Sequence, residues 1–168
     1  DVQFAIGRDC SDANVEAARA SGGAIGALAA QMGGVETLDV GAGQSLVRVD
    51  RPQYANLEPR LLLAEVAQGA TLTRVVIQSN RADAVILDAA HVRLAAGARL
   101  HQMIIAEGAK LARIETHVSI QGEGAEVELN GVYMCGEGRH ADLTSIVEHK
   151  VGGGQTRQLI KGVARRGG

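Results

Sequence analysis

The chain has 168 residues, 46% of them hydrophobic, and a formal net charge of −2. It is therefore one domain's worth of chain, apolar enough to fold around a core rather than stay disordered. Its charge gives no electrostatic case for nucleic acid or an anionic membrane, and no apolar run approaches the roughly 18 residues of a spanning helix.

The apolar set consists of 27 Ala, 17 Val, 15 Leu and 10 Ile, with Phe4, Tyr54 and Tyr133 as the only aromatics. Small and β-branched side chains fill a thin, regular interior better than a wide irregular one. The 22 glycines follow no Gly-x-y period, which excludes collagen and points to frequent tight turns. Cys10 and Cys135 do not make a disulfide framework, so a reducing cytoplasm is the expected setting. The chain opens on Asp1 and closes on Arg165-Arg166-Gly167-Gly168, which reads as a piece of a longer protein.

Residues 1–36 read as an N-terminal helical segment. Ser11-Asp12 can cap a helix, Glu16 suits its positive end, and an alanine-rich run ends at Gly33-Gly34. Gly22-Gly23 weakens the middle, giving one broken helix or two short ones.

From about residue 38 the period becomes two. In Arg113–Ile120 the even positions Ile114, Thr116, Val118 and Ile120 share one face, while Arg113, Glu115, His117 and Ser119 take the other. Val127 and Leu129 alternate with Glu126, Glu128 and Asn130 in the same way. A Gly-Ala-x-Leu motif begins at Gly69, Gly97 and Gly108, with a variant at Gly124 and an outlying copy at Gly43. The Gly supplies a turn, the Ala fits the bend, and the Leu starts the next inward row. Leu72, Leu100, Leu111, Val118, Val127 and Leu129 are the expected inward residues.

Repeated strand–turn units with small cores indicate a solenoid. A sandwich of hairpins is the rival, but Asn-Gly occurs only at 130–131 and Asp-Gly nowhere. The motif glycines lie 28, 11 and 16 residues apart, which breaks the strict six-residue register of a left-handed β-helix. The expected fold is thus all-β, a right-handed parallel β-helix over 37–168 preceded by the helical segment 1–36.

Chemical motifs are sparse. Gly136-Glu137-Gly138-Arg139-His140-Ala141 meets the loose dinucleotide pattern, but residues 142–150 read as a strand where that pattern needs a helix. The densest group of possible metal ligands is Cys135, His140, Asp142, Glu148 and His149, with thiolate and imidazole suited to iron or zinc. Alternation puts His140 and Asp142 on one face and His149 on the other. The competing reading makes His149 a hydrogen-bonded core residue and Cys135 a small hydrophobe. His91, Arg93, His101 and His117 fall at outward positions of separate strands, where a solenoid could stack them into a basic or metal-seeking stripe; ordinary solvated strand faces read the same way.

The segment 122–134, Gly-Glu-Gly-Ala-Glu-Val-Glu-Leu-Asn-Gly-Val-Tyr-Met, resembles the SufB/SufD family of iron–sulfur cluster assembly scaffolds. So do Gly138-Arg139-His140-Ala141-Asp142, Val147-Glu148-His149 and Thr156-Arg157-Gln158-Leu159-Ile160-Lys161-Gly162-Val163. Residues 57–120 match more weakly, through Pro59-Arg60-Leu61 and the glycine turns, and the D-type subunit is the nearer relative. Thr156 and Gln158 stand where the family favours Ser and Glu, and Leu143 near a common second histidine.

The resemblance implies a non-catalytic scaffold in a cytoplasmic complex, paired with a homologous SufB-type subunit and served by a SufC-type ATPase. It implies no tightly bound cofactor in this chain and transient iron or a nascent cluster in the complex. The family's cluster-building cysteine and histidine, and its ATPase-binding helices, would lie beyond Gly168, leaving a β-helix incomplete at its C-terminus and able to self-associate. Carried onto this chain, Cys135, His140, Asp142 and His149 are the candidate metal ligands. Thr156, Arg157, Leu159 and Lys161 are the candidate interface residues. The rival functions are a carbohydrate-active β-helix enzyme, for which aromatic platforms are lacking, and a structural β-helix that polymerises end to end.

Overall fold

Glycines with positive φ mark one corner of the molecule: Gly43, Gly69, Gly97, Gly124 and Gly153, one coil apart each time. The computed structural model describes residues 23–52, 57, 59–79 and 82–165. Helix α1 spans Gly23–Met32 and ends at Gly33, whose φ of 72° only glycine adopts at ease. The proposed cap at Ser11-Asp12 lies outside the described residues.

Ten strands follow: β1 (Val35–Val40), β2 (Ser45–Asp50), β3 (Arg60–Val66), β4 (Thr71–Ser79), β5 (Val85–Leu94), β6 (Arg99–Glu107), β7 (Leu111–Ile120), β8 (Glu126–Cys135), β9 (His140–His149) and β10 (Gln155–Ala164). The odd strands form one sheet in the order β1-β3-β5-β7-β9, and the even strands another, β10-β8-β6-β4-β2. Every pairing is parallel, so the chain winds through both sheets in turn. The architecture is a parallel β-solenoid of about four turns.

The corner glycines explain why the coils stack. Gly43 N donates to Gln68 O, Gly69 N to Ala96 O and Gly97 N to Glu123 O, so each bend is hydrogen-bonded to the next. The alanines that follow, Ala70, Ala98 and Ala125, are fully buried and fill the bend. Leu72, Leu100 and Val127 then begin the inward row of each even strand, as expected.

The copy at Gly108 belongs to the opposite corner, where β6 returns to β7. Without it, the intervals from Gly69 to Gly97 and from Gly97 to Gly124 are 28 and 27 residues, a near-regular coil. This also corrects Leu111. It lies outward in β7, paired with Val85 and His140 and half-buried, while Ala112 and Ile114 take the inward positions. A turn of different geometry shifts the row that its leucine joins.

The main core runs along the interior from Leu38 and Val40 through Leu72, Leu94 and Leu100 to Ile120, Val127 and Leu129. A second cluster lies outside the solenoid. Ile25 and Ala29 of α1 cover Val35, Leu61 and Ala89 on the outer face of the odd-strand sheet. Among the described residues no helix is long and apolar enough to cross a membrane.

Candidate functional site

Charged side chains occupy the interior of the first three coils. Arg74 is 1% exposed, yet its Nε donates to Asp50 at 2.8 Å, its Nη2 to Asp88 at 2.7 Å and its Nη1 to Gln102 at 3.1 Å. Gln102 passes the chain on to Thr116 at 2.8 Å. Arg48 joins Asp50 at 2.7 Å and Glu36 at 2.5 Å, and Arg60 reaches Glu36 at 2.9 Å. Arg48, Arg60 and Arg74 thus face Glu36, Asp50 and Asp88, so the buried charges balance.

Burial alone would raise the Asp50 carboxyl, but Arg74 and Arg48 outweigh it and hold it below the usual carboxylate range. Glu36 is lowered in the same way, burial being outweighed by Arg48 and Arg60. Burial disfavours the Arg74 cation, and Asp88 and Asp50 overcome it, so the guanidinium stays charged. Sequence reasoning missed this network because it equated inward with apolar. The signal was present: Arg74 and Gln78 share the parity of Leu72 and Val76, and that whole row is buried.

The four candidate ligands near the C-terminal coils do not converge. Cys135, at the end of β8, donates from Sγ to Arg139 O at 3.1 Å. His140 and Asp142 lie outward on β9, paired with Leu111 and Arg113, as alternation predicts. Asp142 accepts from the Thr144 hydroxyl at 2.8 Å and faces Arg113 at 3.6 Å. His149 takes an inward position, opposite Ile120, with Nε2 3.0 Å from Thr156 Oγ1. Among the described residues, no three histidine, cysteine or carboxylate side chains stand gathered as a ready metal site. β9 is a strand, so the glycines before it do not open the helix that a dinucleotide fingerprint requires.

Thr156, Arg157, Leu159 and Lys161 all lie on β10, whose ten residues are exposed. Arg157, Leu159 and Lys161 point outward, opposite Glu128, Asn130 and Val132, while Thr156 shares the inward parity of Val127. The two motif segments are neighbours in space, since Tyr133 pairs with Gly162. A Cβ at Gly162 would overlap the Tyr133 ring, which explains why a glycine must follow Lys161.

The outward stripe divides between the two sheets. His101 lies on the even-strand sheet, with Nδ1 3.1 Å from Glu128. His91, Arg93 and His117 lie on the odd-strand sheet, where His91 and His117 are direct partners across β5 and β7. Their rings stack with centroids 4.4 Å apart and planes within 16°. They line a groove of about 490 Å³ together with Arg93, Ile146, Glu148 and Lys150. Burial, with His117 and Arg93 adding to it against Glu115, pushes His91 down to about 4, so its imidazole is neutral at physiological pH.

Residues 40–168 match the family model described as SUF system FeS cluster assembly, SufBD core domain. No curated protein and no solved structure gives a match.

Proposed function

The chain belongs to the SufBD core-domain family of SUF-system Fe–S cluster assembly, and from that premise we propose that it is a non-catalytic scaffold subunit of D type. In this reading it works in the cytoplasm beside a homologous SufB-type subunit, with a SufC-type ATPase driving the cycle. Iron and the nascent cluster are cargo of the whole complex rather than a resident cofactor of this chain.

The match over residues 40–168 carries the reading, because it spans every strand from the end of β1 to β10. The solenoid supplies a stiff body: parallel coils locked by stacked bends and a filled interior have little freedom to rearrange. On it, β10 presents an outward row of Arg157, Leu159 and Lys161.

Co-expression of the chain with SufB-type and SufC-type subunits tests the proposal. A stable complex should form by native mass spectrometry, and anaerobic supply of iron and sulfide should give it cluster absorption. Leu159→Asp with Lys161→Glu should release the chain from the complex while its thermal unfolding stays near that of the parent. Failure to associate with either subunit, or equal cluster formation without this chain, would reject the scaffold role. Association only with further copies of itself would place it in a homo-oligomer instead.

A further inference from the structure

We propose that His91, His117 and Glu115 form a site for a divalent transition-metal ion on the outer face of the odd-strand sheet. Three observations meet there. His91 and His117 are in-register partners with stacked rings 4.4 Å apart. The Nε2 of His91 is buried and has no hydrogen-bond partner among the described residues. Glu115 offers an oxygen, Oε2, at 3.7 Å from His117 Nε2.

The register explains why His91 is left short. Ala89 stands on β5 where Glu115 stands on β7, so His117 has a carboxylate on its own face of its strand, while the only carboxylate on His91's strand, Asp88, lies inward with Arg74. Glu115 is nevertheless near enough to act electrostatically on His91. One carboxylate therefore faces both imidazoles. Its other oxygen, Oε1, is held by Arg113 Nε at 2.6 Å, and Arg113 also faces Asp142 at 3.6 Å. A metal could take Oε2 without stripping Arg113 of all its partners.

As they stand, the three groups are not gathered around one point, and the stacked rings lie in nearly parallel planes. With metal–imidazole bonds of about 2.0–2.1 Å, two nitrogens on one ion lie at most about 4.2 Å apart, so an ion would have to turn both rings out of the stack, which would end the isolation of His91 Nε2. Two imidazoles and one carboxylate with open positions suit Fe²⁺, Co²⁺ or Zn²⁺ rather than Mg²⁺ or Ca²⁺. The groove would admit the ion and its waters. The nearby cations are already neutralised, Arg93 by Glu65 at 2.7 Å and Lys150 by Glu148 at 2.8 Å. The site shares no residue with Cys135, His140, Asp142 and His149, and it does not depend on the scaffold reading.

Titration of the whole chain with Co²⁺, followed by its visible absorption and by calorimetry with Zn²⁺, tests this without any assembly partner. One ion per chain is expected. His117→Ala and His91→Ala should each weaken it by at least the roughly 10- to 100-fold that loss of a mere supporting residue costs. Glu115→Gln should weaken it as well, and His101→Ala and His140→Ala should leave it unchanged. Should His91→Ala fail to fold, imidazole NMR of the parent chain decides: Zn²⁺ should shift the ring signals of His91 and His117 and spare those of His101. Absence of binding, binding retained by the His91→Ala/His117→Ala double variant, ring signals that do not move, or binding lost with Cys135→Ser would each overturn the proposal.

Discussion

The two ends of the solenoid share a backbone but solve the problem of a narrow interior differently. One inward column runs through all the even strands as Arg48, Arg74, Gln102, Leu129 and Gln158. At the early end it carries cations, matched by Glu36 and Asp88 from the facing sheet and by Asp50 from β2 itself. From Gln102 on it carries no charge, and at Gln158 it keeps only a hydrogen bond to Ser145 at 2.7 Å. The outside differs as well: α1 covers the odd-strand sheet at β1, β3 and β5, whereas β10 is exposed along its whole length. A stacked fold can thus place a charge inside wherever the adjoining strands supply its counter-charge.

The sharpest way to break the comparison is to change one column at both ends. Arg74→Met removes the hub and leaves Asp50 and Asp88 buried without it, so stability should fall by about 3–5 kcal/mol. Leu129→Ala, in the same column, leaves a cavity and should cost about 2–5 kcal/mol. Gln158→Ala, exposed on β10, should move stability by no more than about 0.5 kcal/mol. Urea unfolding of the three variants gives the order. If Arg74→Met proves as mild as Gln158→Ala, the interior network contributes little.

How far this was visible in the sequence depends on which level of structure sets each feature. The strands at 113–120 and 126–130 were legible because alternation is local, and Ile114, Val118, Ile120, Val127 and Leu129 are buried as expected. The turn glycines were legible too, but not their assignment to two different corners, so the motif alone puts Leu111 on the wrong face. Arg74 was hidden because its partners Asp50 and Asp88 come from other coils. The His91–His117 stack was hidden for the same reason. Both residues read as outward, but their contact follows from coil length, which the Gly108 copy of the motif obscured.

The bends offer a smaller effect. Gly97 has a φ of 63° and nothing but the Gly69 Cα near the position a Cβ would take. Gly97→Ala should therefore cost only the left-handed backbone strain, about 1–2 kcal/mol. Gly162 is different in kind, since its φ is unremarkable and the Tyr133 ring fills the space. Gly162→Ala should force that ring to move, and Tyr133→Leu should restore the lost stability. Thermal unfolding of the single and double variants separates strain from crowding.

Acid should affect the early coils first. Glu36 and Asp50 titrate lower in the folded chain than their ordinary values of 4.5 and 3.8. The unfolded chain therefore takes up those protons first on acidification. The stabilisation is complete above the ordinary values and is lost as pH falls through the folded ones. His91 acts in a higher window with the same sign. Its ordinary value is 6.5 and its folded value about 4, so stability is complete above 6.5 and declines from there down to about 4. Urea unfolding of the metal-free chain should show both losses. His91→Gln should flatten the upper window only, and Arg74→Met should weaken the lower one, because Asp50 then titrates closer to its ordinary value.

The smallest effect concerns an ion pair that resembles the interior ones in geometry but not in surroundings. Arg93 meets Glu65 at 2.7 Å on the outer face of the odd-strand sheet, with the two side chains 51% and 53% exposed. The Arg74–Asp88 pair has the same length and is almost fully buried. In water the Coulomb attraction is screened, and ordering two long side chains offsets most of what remains. A double-mutant cycle on Arg93 and Glu65 should therefore return a coupling of about 0.2–1 kcal/mol that fades with added salt. The corresponding cycle on Arg74 and Asp88 should return a larger, salt-insensitive coupling, because no solvent reaches the pair. Equal couplings in the two cycles would mean that the interior is wetter than its burial implies, and the contrast between inside and outside would fail.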